Sequence, residues 1–247
     1  MLARSGRVSP PIFAPLVFAQ AAEIEALDVA EFLADPTKLA KGLTALHQAL
    51  RTDAVVTVAP VVGLDLLDAA VEATSRLAAT LPGEPVLVAA LTGPATLARR
   101  ARSGDLEAVG ASVLNTFKRF LEAGTNLVLV VEEDAPPAGL VEGWRSAVTP
   151  LVNVARFHQA LPLVVFESPS AEAIEAVPVS AGVCTPAETP AGGPPARVQG
   201  LAMSVEPKEW MAPAPGVPLV TTAGVVPGHV SFAEVLDACG RLRAEAG

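Results

Sequence analysis

The chain contains no tyrosine and only two cysteines in 247 residues. The first absence removes any phenol from the chemistry open to it. The second bears on metals and redox: Cys184 and Cys239 lie far apart, neither in a CxxC or CxH pattern, so no disulfide framework or zinc site is signalled. Both read as small buried hydrophobes. Positive charge is scarce too. Lys and Arg number 17 against 26 Asp and Glu, the net charge is −9, and the cations are scattered rather than gathered into a stripe. That argues against nucleic acid as a partner. Pro and charged residues interrupt every apolar run before it reaches the ~20 residues that span a bilayer, so no membrane partner is expected either. The opening "MLARSGRVSPP" carries Arg but no signal-type apolar segment with a cleavage site; "IFAPLVFAQAA" comes nearest to one. A cytoplasmic location is the expectation.

What is present is aliphatic. Hydrophobic residues make up 51% of the chain, mostly Ala, Val and Leu, enough for a large buried core. Short β-branched runs alternate with longer segments of helical period. The runs are 12–18, 54–58, 86–91, 127–131, 163–166, 177–183, 197–203 and 217–222, giving eight strand candidates. Helices are expected at 29–50, 64–81, 105–123, 140–160, 171–176 and 231–246. Asp28 with Glu31, and Ser231 with Glu234, have capping-box spacing, and Gly124 closes the helix before it. Regular alternation favours parallel strands joined by crossover helices, and eight apolar strands predict a (β/α)8 barrel, with a doubly wound sheet as runner-up. Residues 183–198, rich in Pro and Gly, predict a loop, and no other linker appears, so one domain is expected over 1–247.

Residues 76–101, "RLAATLPGEPVLVAALTGPATLARRA", resemble a helix, turn, strand and helix start that follow in this order in the uroporphyrinogen decarboxylase family and its relatives. Those relatives are the corrinoid-linked methyltransferases and cobalamin-independent methionine synthase. "FLADPTKLAKGLTALHQALRTDAVV", "FLEAGTNLVLVVEED" and "VTTAGVVPGHVSFAEVLDA" are similar to further family segments, in family order. The resemblance implies a (β/α)8 barrel with shortened loops, and an enzyme of porphyrin-decarboxylase or methyltransferase type.

The family's own site residues do not carry over. Where the decarboxylases have an arginine-rich segment after strand one, this chain has "FAQAAEIE", keeping Gln20 and Ala21 as a faint echo. Strand two ends in "VAPVVG" without an acid, the family tyrosine has no counterpart, and the region of its histidine reads "TTAGVV". The zinc-binding HxC pair of the methyltransferases falls on Phe166 and Ser168, and their later cysteine falls near Thr222 or Ala223. The resemblance thus implies a divergent member without the family metal, and no cofactor is expected.

Barrel enzymes carry their chemistry at the carboxyl ends of the strands. There this chain offers Gln20 and Glu23, Thr92 and Gly93, the triplet Glu132, Glu133 and Asp134, Glu167 and Ser168, Thr221 and Thr222, and then His229. Side chains alternate along a strand, so only one of Glu132 and Glu133 can face the mouth. Crowded, desolvated carboxylates suit acid or base work, and Glu132, Glu133, Glu167 and His229 are the catalytic candidates. Gln20, Thr92, Gly93, Arg99, Ser168 and Thr222 are candidates for substrate binding, and Arg99 or Arg100 for holding a carboxylate. No metal is expected, because no histidine is placed beside the acids. Asp134 reads as a turn residue facing water. The expectation is an enzyme acting on a small, carboxylate-bearing molecule at the barrel mouth, of lyase or decarboxylase type. The alternatives are a group transferase without the zinc site, and a non-catalytic barrel that binds a ligand or partner. Ala-rich helices make a homodimer a further expectation.

Overall fold

The computed structural model describes residues 11–60, 66–81, 83, 85–187, 198–213 and 216–246. Eight parallel strands form one sheet in the order β1-β8-β7-β6-β5-β4-β3-β2. They are β1 (Ile12–Phe13), β2 (Ala54–Val58), β3 (Val86–Thr92), β4 (Leu127–Asp134), β5 (Leu161–Ser168), β6 (Gly182–Thr185), β7 (Val198–Met203) and β8 (Leu219–Thr222). Around them lie α1 (Gln20–Ile24), α2 (Val29–Ala34), α3 (Pro36–Leu50), α4 (Leu67–Thr80), α5 (Pro94–Arg100), α6 (Leu106–Glu122), α7 (Val141–Phe157), α8 (Ala171–Ala176) and α9 (Phe232–Ala246). This is the (β/α)8 barrel that the alternation predicts. Among the described residues, no helix is long and apolar enough to cross a membrane.

The two ends of the sheet, β1 and β2, meet through a single residue. The Asp53 N–H donates to the Phe13 carbonyl at 3.3 Å, and the Phe13 N–H donates to Asp53 Oδ2 at 2.9 Å. The carboxylate thus stands in for a strand carbonyl and completes the ring. On its other side β1 pairs regularly with β8, Ile12 opposite Leu219 and Phe13 opposite Val220.

Several boundaries differ from the sequence reading, each for a local reason. β1 is two residues long instead of seven, since Pro15 has no N–H for the ladder. The helix expected at 29–50 breaks at Asp35, which is extended (φ −113, ψ 112) because Pro36 follows it. Asp35 then caps α3 by accepting from the N–H groups of Thr37 and Lys38. β6 begins at Gly182, not at 177: α8 runs to Ala176, and Pro178 and exposed Val179 form the turn that follows. α1 was not anticipated. Most of the loop expected at 183–198 lies outside the described residues.

β4 and β5 are longer than their apolar runs. They stay paired through Glu132 opposite Phe166 to Asp134 opposite Ser168. The three acids therefore belong to the strand itself and inherit its alternation. Phe166 packs on Trp144 of α7, ring centroids 5.7 Å apart, so it faces the helix layer. Val165 and Glu167, its neighbours, accordingly face the barrel interior. The interior is closed below by buried aliphatic side chains such as Leu129, Val131, Leu163 and Val165.

Candidate active site

Glu132 points away from the mouth. It is fully buried between β4, α5 and α7, and its carboxylate accepts four hydrogen bonds. These come from the N–H of Ala95 (3.0 Å), the N–H of Thr96 (2.8 Å), the Thr96 hydroxyl (2.6 Å) and the Trp144 indole N–H (2.8 Å). The Thr96 hydroxyl accepts from the Glu133 N–H at 3.0 Å, which commits its own proton to Glu132. Burial pushes the Glu132 carboxyl up, and the bonds from Thr96, Trp144 and Ala95 oppose that rise. The four donors favour the charged form of this carboxyl, and burial opposes it. It anchors the start of α5 to the sheet. Gly93 serves the same contact: a Cβ there would lie 2.2 Å from Glu132 Oε1. The contact the structure gives Gly93 is this packing against Glu132.

Glu133, next along the strand, faces the mouth and is ion-paired with both Arg99 and Arg100. Asp134 points outward again and pairs with the other end of the Arg99 guanidinium. The residue read as a free turn acid is thus an ion-pair partner at the end of β4. The bond to Asp134 is the main cause holding the Arg99 pKa above its ordinary value, and the charges of Asp134 and Glu133 add to it.

A cleft of about 260 Å³ opens at the carboxyl ends of the strands, lined by Thr92, Thr96, Arg100, Glu133, Glu167 and Val225 among others. Glu167 and Glu133 line it together. Glu167 forms no ion pair among the described residues; burial pushes its carboxyl up, and the charges of Glu133 and Asp134 push it further. Thr92 donates weakly to the Pro60 carbonyl at 3.3 Å, at the rim of the cleft.

The remaining candidates stand apart from this cleft. Gln20 is buried, and its amide donates to the carbonyls of Pro227 and Val230, tying α1 to the segment before α9. Thr222 accepts from the Leu16 N–H and donates to the Gly224 carbonyl, extending the β1–β8 join. Ser168 is exposed at the end of β5, where its carbonyl accepts from the Ala135 N–H. His229 is exposed in the segment before α9 and does not line the cleft. Both cysteines are buried, and burial pushes the Cys184 thiol up to about 12 and that of Cys239 to about 11. Neither is a ready nucleophile or metal ligand. Among the described residues no group of three or more His, Cys, Asp or Glu side chains is placed to hold a metal.

Sequence reasoning missed Trp144 and Thr96 as partners of Glu132. Trp144 carries a faint signal, a lone aromatic 12 residues beyond an acid, but nothing in the order of residues brings the two together.

No family model matches the chain, and no curated protein matches it. Among solved structures it is similar to a methyltransferase from Methanosarcina mazei, with TM-score 0.58 and 14% identity over 98% of this chain and 95% of that one. It is also similar to a homocysteine methyltransferase from Escherichia coli, solved in its apo form, with TM-score 0.55 and 14% identity over 96% of each chain. These likenesses are those of a shared barrel fold, in which chemistry varies with the loops and strand ends.

Proposed function

We propose that the chain is a divergent group transferase of the superfamily it resembles, acting on a small molecule in the cleft at the barrel mouth, with Glu167 as its proton acceptor. The observation that carries this reading is Glu167 itself. It is a carboxylate with a raised pKa and no cation partner among the described residues, facing a cleft of about 260 Å³ beside a second acid, Glu133. A general base needs a lone pair that can reach the substrate and a pKa raised toward the working pH; the place of Glu167 on the cleft wall and the upward direction of its shift support that role. The two solved structures named above are methyltransferases, which favours transfer over other reactions of this fold.

Decarboxylation of a carboxylate-bearing substrate draws no such support. It calls for a cation free to hold the carboxylate, and Arg99 and Arg100 are both engaged by Glu133 and Asp134. Among the described residues two acids, Glu133 and Glu167, line the cleft against one arginine, Arg100, and this excess of negative charge favours a neutral or cationic substrate bearing an N–H, O–H or S–H nucleophile. Arg100 and Glu133 shape the cleft wall. Glu167 takes the proton as the nucleophile's lone pair bonds to the transferred group, whose bond to a separate small-molecule donor breaks, the donor leaving with that electron pair.

Purified protein is to be screened by thermal shift against small thiols, homocysteine among them, and small amines, and hits assayed for methyl acceptance. Glu167→Gln should then lower kcat by roughly 10²–10⁴-fold, the usual worth of a general base, without lowering the melting temperature. An unchanged kcat in that variant would remove Glu167 from the mechanism. Binding without turnover for every hit would instead make this a ligand-binding barrel.

A further inference from the structure

Outside the barrel wall, behind Asp134, lies a second cavity of about 380 Å³, larger than the cleft at the mouth. It is framed by α5, the turn leading into α6, and the segment between β4 and α7. Its walls are apolar, with Ala98, Leu106, Pro137 and Leu140 contributing, and its charges are two: Arg99 and Asp134, bonded to each other at one end. Leu140 is half exposed on the rim although it is a large aliphatic residue, leaving apolar surface facing water.

The ligand class follows from charge and shape. Both side chains are about half exposed, so a lone carboxylate drawn to Arg99 competes with Asp134 at little gain, and a lone amine drawn to Asp134 competes in the same way with Arg99. A zwitterion inserted between them leaves no charge without a partner: its carboxylate takes the Arg99 guanidinium and its ammonium takes the Asp134 carboxylate. A volume in the ordinary range for small-molecule pockets leaves room for an apolar side chain against the aliphatic walls.

We propose that this side cavity is a binding site for an apolar amino acid, or a zwitterion of the same pattern, held between Arg99 and Asp134. The site is separate from the cleft and does not depend on the reaction that runs there. The same guanidinium also holds Glu133 of the cleft wall, so the Arg99–Glu133 ion pair links the two sites through the barrel wall.

The test uses the full chain with three probes of matched shape: L-leucine, 4-methylpentanoate, which lacks the ammonium, and 3-methylbutylamine, which lacks the carboxylate. Calorimetry should give leucine binding roughly tenfold or more tighter than either analogue, the effect of losing one charge-assisted contact. Arg99→Gln and Asp134→Asn should each weaken leucine by a similar factor, and amide shifts on titration should cluster at residues 103–106 and 134–140. The proposal is overturned if leucine fails to bind at millimolar concentration, if either analogue binds as well, or if the shifts fall elsewhere. The analogue comparison uses the unsubstituted protein, so it stands even if a variant misfolds.

Discussion

A Cβ on Gly93 would sit 2.2 Å from Oε1 of Glu132, closer than any two such atoms can approach. The acid cannot swing aside, because four donors fix its carboxylate. Gly93 therefore owes its identity to Glu132, and the two together pin the start of α5 to the end of β4. Gly93→Ala should destabilise the fold by about 3 kcal/mol, combining overpacking with disrupted bonds to a buried carboxyl. Chemical denaturation measures this, and a loss well under 1 kcal/mol would show that Glu132 can move.

Trp144 supplies the one donor to Glu132 that comes from outside the α5 turn. Trp144→Phe keeps an aromatic ring against Phe166 but removes the indole N–H, leaving the buried carboxyl one donor short. The expected cost is about 2 kcal/mol. Thr96→Val should cost at least as much, since that hydroxyl also accepts from the Glu133 N–H. If Glu132→Gln proves neutral by the same measurement, the charged form of this carboxyl is not what the four donors stabilise.

At the seam of the barrel, Asp53→Ala removes the acceptor that closes β1 onto β2. The change should lower stability by about 1 kcal/mol, because the group is exposed and water replaces part of the bond. A sharper readout is hydrogen exchange at the Phe13 amide, which should lose its protection while the amides of β4 and β5 keep theirs.

The raised pKa of Glu167 makes a prediction with a definite sign. The folded protein binds this proton more tightly than the unfolded chain does, where the group titrates near the ordinary carboxylate value. The stability it contributes is therefore complete below the unfolded pKa and is lost as pH rises through the folded one. Glu167→Gln should flatten the fall in stability in that window, followed as melting temperature against pH. Asp134→Asn removes one of the neighbouring charges, so it should shift the Glu167 titration, followed by carboxyl NMR, to lower pH. A shift upward would assign the perturbation to another cause.

Much of this was written in the order of residues. The eight aliphatic runs pointed to a parallel sheet covered on both faces, which reads as continuous Val, Leu and Ala; their number favoured the barrel over a doubly wound sheet. β4 was visible as a strand, and alternation required that Glu132 and Glu133 part ways. The short helix α1, the shift of β6 to Gly182 and the break at Asp35 were less legible, since each is decided by a proline, a cap or a long-range contact within one or two residues.

The sequence by itself determined the architecture and the end of the barrel where charged groups gather, because periodicity and strand composition are local properties. Which acid is buried in the fold and which lines the cleft was decided only by tertiary structure. Periodicity says that two neighbours lie on opposite faces; it does not say which face is which. That depended on Trp144, Thr96 and Ala95 arriving from two different helices to satisfy Glu132, and so leaving Glu133 and Glu167 to the cleft. A buried charge takes whatever donors the packed structure brings to it, and no stretch of sequence contains them all.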